Sequence, residues 1–108
     1  MRTPVVAGRF YPGSPTELAE TVDDLFAKAG TVQKEKALAV VSPHAGYIYS
    51  GELAAKTLSR ITIPETVVII GPNHHGRGAP VALSAQSWEM PFGVVPVDQE
   101  MAALLVEH

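Results

Sequence analysis

The sequence predicts an α/β fold, and three observations carry that prediction. Residues 37–43, "ALAVVSP", and 65–72, "ETVVIIGP", are continuous apolar runs rich in β-branched residues, the pattern of strands buried on both faces. Between them, residues 50–61, "SGELAAKTLSRI", read as a helix, so strand, helix and strand form a right-handed βαβ unit with parallel strands. Capped helical segments before and after this unit complete one domain over residues 1–108, with no internal repeat, low-complexity tract or linker-like charge run.

The elements follow in order. An extended "TPVVAG" leads into a turn at "YPGSP". The first helix, within residues 14–30, has Ser14 as N-cap, Pro15 at its first position and Glu17 completing a capping box. Leu18, Val22, Leu25 and Phe26 recur at helical spacing, and Gly30 follows as C-cap. The second helix takes Ser50 as N-cap, with Glu52 in its first turn and Lys56 and Arg60 later, as the helix dipole favours. After the strand at 65–72, residues 79–85, "APVALSA", form a third strand candidate, and Asp98 caps a last helix in "PVDQEMAALLVEH". Trp88 and Phe92 in "SWEMPFG" read as core or as an edge turn rather than a binding box.

Composition narrows the function. The chain has 108 residues, 46% hydrophobic and 18% charged, enough apolar material for one core. A net charge of −3 gives no electrostatic reason to expect nucleic acid or an anionic membrane as partner. No stretch approaches the roughly 18 apolar residues of a membrane span, and the N-terminus lacks the apolar centre of a signal peptide, so the expected location is the cytoplasm. Without cysteine, the chain has no disulfide and no thiolate ligand, and a metal site must draw on His, Asp, Glu, backbone or water.

In open parallel sheets, ligands bind beyond the carboxyl ends of the strands. Both unusual loops sit there: "HAGYIYSG" after the first strand and "GPNHHGRG" after the second. Parallel neighbours are about 4.8 Å apart, so imidazoles from His44 and His74 are expected within reach of one ion. A single histidine at a strand end is more often a hydrogen-bonded loop residue, but two on equivalent loops point to a site. His75 faces away from its neighbour and would support the pocket. Tyr47 and Tyr49 alternate, so one is expected to line the pocket as a proton donor and the other to pack. The N-terminus of the second helix would favour an anionic group at the same edge. The loop is neither a Walker A motif nor G-x-G-x-x-G, and there is no G-x-S-x-G elbow for Ser42 or Ser50.

"VAGRFYP", "SPHAGYIYSG", "IIGPNHHG" and "WEMPFGVVPVDQE", in that order and spacing, resemble the N-terminal part of the MEMO family (mediator of ErbB2-driven motility). Its microbial members are called AmmeMemoRadiSam system protein B. The resemblance spans nearly the whole chain and implies a three-layer α/β/α sandwich like that of class III extradiol dioxygenases, with a non-haem iron site at the strand ends. It implies His44 and His74 as metal ligands, with His75, Tyr47 and Asn73 in the pocket.

Family members are more than twice as long, and the residue that completes their metal site, a cysteine in the animal protein, lies in the later part. A facial iron site needs three protein ligands, so two histidines alone would hold iron, or alternatively copper or zinc, weakly. Asp98 is better read as a cap than as the third ligand. The expectation is an N-terminal portion that oligomerises or needs its counterpart, since a sheet cut in half leaves an apolar edge.

Three functions compete. The first is a metal-dependent oxidoreductase with His44 and His74 as ligands and His75 or Tyr47 moving protons. The second is a non-catalytic module for an anionic ligand or peptide. The third is an accessory to a radical S-adenosylmethionine enzyme, suggested by the microbial name alone.

Overall fold

The structure is a computed structural model that describes all of residues 1–108. It contains helices α1 (Pro15–Ala29), α2 (Tyr47–Leu58) and α3 (Gln99–Glu107), and strands β1 (Trp88–Met90) and β2 (Gly93–Val95). This mixture is compatible with the α/β class. The chain forms two compact units, one of residues 4–64 and the other of residues 1–3 with 65–108.

In the unit of residues 4–64, α1 forms as its caps dictate. Ser14 Oγ accepts the Glu17 amide at 3.3 Å, Pro15 opens the helix, and Gly30 ends it at φ +79°, a left-handed angle that a side chain disfavours. Leu18 is buried at 3% exposure, and α1 packs on α2 where Leu25 lies against Gly51. Ala55 and Ser59 of the α2 region are buried with it. The Lys28–Glu52 ion pair across the two helices, at 3.6 Å, is exposed on both sides and contributes little.

Helix α2 begins a turn earlier than Ser50. Gly46 is the N-cap, and the Ser50 hydroxyl donates backwards to the Ala45 carbonyl at 3.1 Å instead of capping. A serine hydroxyl inside a first turn has carbonyls within reach, and the helix keeps going through it. Tyr47 and Tyr49 still face different ways, now through helical geometry: Tyr47 is half-buried and Tyr49 is exposed.

The expected βαβ unit of strands 37–43 and 65–72 is not formed; one isolated parallel bridge, Glu35 to Ile61, spans α2. The Glu35 amide donates to the Arg60 carbonyl and the Thr62 amide to the Glu35 carbonyl, both at 2.9 Å, on either side of α2. The three expected strands, 37–43, 65–72 and 79–85, are not paired in ladders. Their side chains stand in solvent, Leu38 and Ile70 almost completely, because an apolar run becomes a buried strand only when both edges and both faces find partners.

In the unit of residues 1–3 and 65–108, β1 and β2 form an antiparallel hairpin with Trp88 opposite Val95 and Met90 opposite Gly93. Arg2 extends it by a parallel bridge, donating to the Ser87 carbonyl and accepting from the Glu89 amide, both at 2.8 Å. Its guanidinium lies 4.2 Å from the Trp88 ring centroid, a cation–π contact. Trp88 thus belongs to a strand and Phe92 to the turn after it. Asp98 caps α3, as the sequence indicates, by accepting the Met101 amide at 2.9 Å. No helix is long and apolar enough to cross a membrane.

Candidate functional site

The segment 6–11 curls into a compact turn: the Gly8 amide donates to the Tyr11 carbonyl at 2.7 Å, and the Arg9 and Phe10 amides donate to Val6. The turn presents the Phe10 carbonyl to the start of α2, where the Tyr47 amide donates to it at 2.8 Å. Two stretches far apart in sequence, "VAGRFYP" and "SPHAGYIYSG", therefore meet. The rings of Tyr11 and Tyr47 lie 5.7 Å apart at 39°, within the range of favourable aromatic pairs. Sequence reasoning missed Tyr11 as a site residue, because nothing local to it signals a partner 36 positions later.

His44 and Tyr47 come together on one open cavity of about 410 Å³. Phe10, Val22, Leu25, Phe26 and Leu58 form apolar parts of its wall, and Tyr11, Ser42, Ser50 and His44 add polar groups. An apolar cleft with a few polar groups is the usual construction of a small-molecule site. Burial, and secondarily the neighbouring Tyr11, raises the Tyr47 phenol above its ordinary value, so Tyr47 stays neutral and able to donate through the physiological range.

The α2 N-terminus is less available to an anion than its position suggests. The Tyr47 amide is taken by Phe10, and the Tyr49 and Ser50 amides by Gly46. Such a site needs amides that point outward unpaired.

His74 and His75 belong to the other unit, on an exposed loop that ends in two left-handed glycines, Gly76 at φ +64° and Gly78 at φ +81°. The Asn73 side chain is engaged within this loop. Its Oδ1 accepts the His75 and Gly76 amides at 3.2 and 2.9 Å, and its Nδ2 donates to the Arg77 carbonyl at 2.8 Å.

The imidazoles of His44 and His74 suit iron, copper or zinc. No three His, Cys, Asp or Glu side chains of the chain are grouped so as to hold a metal ion. The Asp98 carboxylate is engaged by the Met101 amide and by the Thr66 hydroxyl at 2.8 Å.

A family model described as "Memo-like protein" matches residues 2–108. A MEMO1 family protein of Aquifex aeolicus is 44% identical over 109 residues, covering 100% of this chain and 40% of the relative. Another, from Methanococcoides burtonii, is 45% identical over 105 residues, covering 97% and 39%. A third, from Archaeoglobus fulgidus, is 48% identical over 100 residues, covering 93% and 37%. The chain thus spans about two fifths of the length of the curated relatives it matches. No solved structure gives a significant match. With a family match over nearly its whole length, the chain belongs to the Memo-like family.

Proposed function

We propose that this chain supplies the first part of a metal-dependent oxidoreductase related to the non-haem iron extradiol dioxygenases. His44 and His74 serve as two of its metal ligands. Tyr47 and His75 hold and move protons. The third ligand comes from polypeptide equivalent to the remaining length of the relatives, where the sandwich is also completed. The supporting observation is the cavity that joins His44 to a half-buried, neutral Tyr47 against an apolar wall, an arrangement that can orient an organic substrate and offer it a proton. Binding of an anion at the start of α2, without turnover, is the weaker reading, since Phe10 already occupies the first amide. The exposed apolar runs around Leu38 and Ile70 are covered by that further polypeptide or, without it, by a second copy of the chain.

Metal content by plasma mass spectrometry tests this on the chain, on a version extended to the relatives' length, and on His44→Ala and His74→Ala in the longer background. The long protein should carry about one metal ion that either substitution removes, and the short chain little. Undiminished metal in either variant would overturn the ligand assignment. A long protein without metal that binds phosphate or carboxylate ligands would favour the non-catalytic reading.

A further inference from the structure

The loop that carries His74 and His75 has an internal clamp. All three hydrogen bonds of the Asn73 side chain fall within residues 73–77: the amide oxygen accepts from His75 and Gly76, and the amide nitrogen donates to the Arg77 carbonyl. The pattern fixes the orientation of the amide, because two N–H donors require the oxygen and a carbonyl requires the nitrogen. An Asx turn of this kind replaces backbone turn bonds with side-chain ones. The third bond, to Arg77, closes the stretch over Gly76, whose left-handed φ lets the chain double back. His74 lies between the clamping residue and its first partner.

We infer that Asn73 is a positioning residue, which sets the backbone from which His74 and His75 are presented through bonds local to the loop. The use of that positioning rests on the proposed ligand role of His74; the clamp itself does not. Aspartate at position 73 keeps the acceptor for His75 and Gly76 and loses the donor to Arg77. Serine keeps a weaker acceptor, and alanine keeps neither.

Amide hydrogen exchange on the ¹⁵N-labelled chain tests the clamp in Asn73→Ala, Asn73→Asp and Asn73→Ser. Exchange at His75 and Gly76 should rise about tenfold or more in the alanine variant, return most of the way with aspartate and partly with serine, and leave the thermal midpoint unmoved. Unchanged exchange in Asn73→Ala, or aspartate exchanging as fast as alanine, would overturn the inference. If the alanine variant does not fold, the aspartate-to-serine contrast carries the test. In the extended protein, metal lost in His74→Ala but fully kept in Asn73→Ala would overturn the positioning role and leave the ligand assignment standing. Metal kept in His74→Ala would remove that assignment and leave the exchange result to decide the clamp.

Discussion

Tyr11 and Tyr47 pair their rings 5.7 Å apart, although one sits in the N-terminal turn and the other opens α2. Burial chiefly, and the neighbouring Tyr11 to a lesser degree, make the proton on Tyr47 hard to remove. The unfolded chain ionises this phenol near the ordinary value of about 10, while the folded unit holds it protonated above that. The associated stability is fully present below pH ~10 and is lost as the pH rises toward the raised value of the folded state. Absorbance titration of the tyrosinate band should therefore show a component ionising above the ordinary value that Tyr47→Phe removes. Tyr11→Phe should lower it only part of the way. A Tyr11→Phe variant with the whole elevation gone would show that burial is not the main cause.

Asp98 has a corresponding acid-side role. Oδ1 accepts the Met101 amide and Oδ2 the Thr66 hydroxyl, so the carboxylate is held below the usual carboxylate range, first by Met101 and then by Thr66. A depressed folded value stabilises above the unfolded value of about 3.9 and is lost as the pH falls through the folded value. Protection of the Met101 amide, taken relative to its intrinsic exchange rate at each pH, should fall on acidification of the wild-type chain. Asp98→Asn, which keeps a cap acceptor but cannot titrate, should abolish that acid step, and Thr66→Val should shift it upward in pH. An acid step unchanged in Asp98→Asn would assign it to another group.

These cases show what the sequence makes legible. The Ser14 and Asp98 caps are signals within four residues, and both helices form where those signals stand. Ser50 is the same residue type in a less decisive place: with Gly46 already able to cap, its hydroxyl turns back to Ala45 and the helix starts a turn early. The runs around Leu38, Ile70 and Val81 carry strand composition, but a ladder depends on neighbours that composition does not supply. The hairpin of Trp88–Met90 with Gly93–Val95 reads in the sequence only as core or an edge turn, since each strand is too short for a period to show. His44 and Tyr47 belong to one sequence motif, and both line the same cavity. Tyr11 depends on a turn folding back onto α2, and the role of Asn73 depends on where its amide points.

The contact between the first two helices gives a last prediction in which two effects of similar size oppose each other. Gly51 is buried inside α2, and a Cβ added there would lie 2.9 Å from Leu25 Cδ1 and 3.4 Å from Cδ2. Alanine in a helix interior is favoured over glycine by about 1 kcal/mol. Moving the Leu25 tip off its rotamer costs about 0.5–1.5 kcal/mol. The near cancellation predicts that Gly51→Ala changes stability by less than about 1 kcal/mol. Gly51→Leu, which no movement of the tip accommodates, should destabilise by about 1–3 kcal/mol. A double-mutant cycle in urea separates the two effects: with Leu25→Ala the crowding is gone, and Gly51→Ala should then stabilise by close to the full helix-propensity gain. Equal effects of Gly51→Ala in both backgrounds would mean that Leu25 does not press on Gly51, and that α1 meets α2 elsewhere.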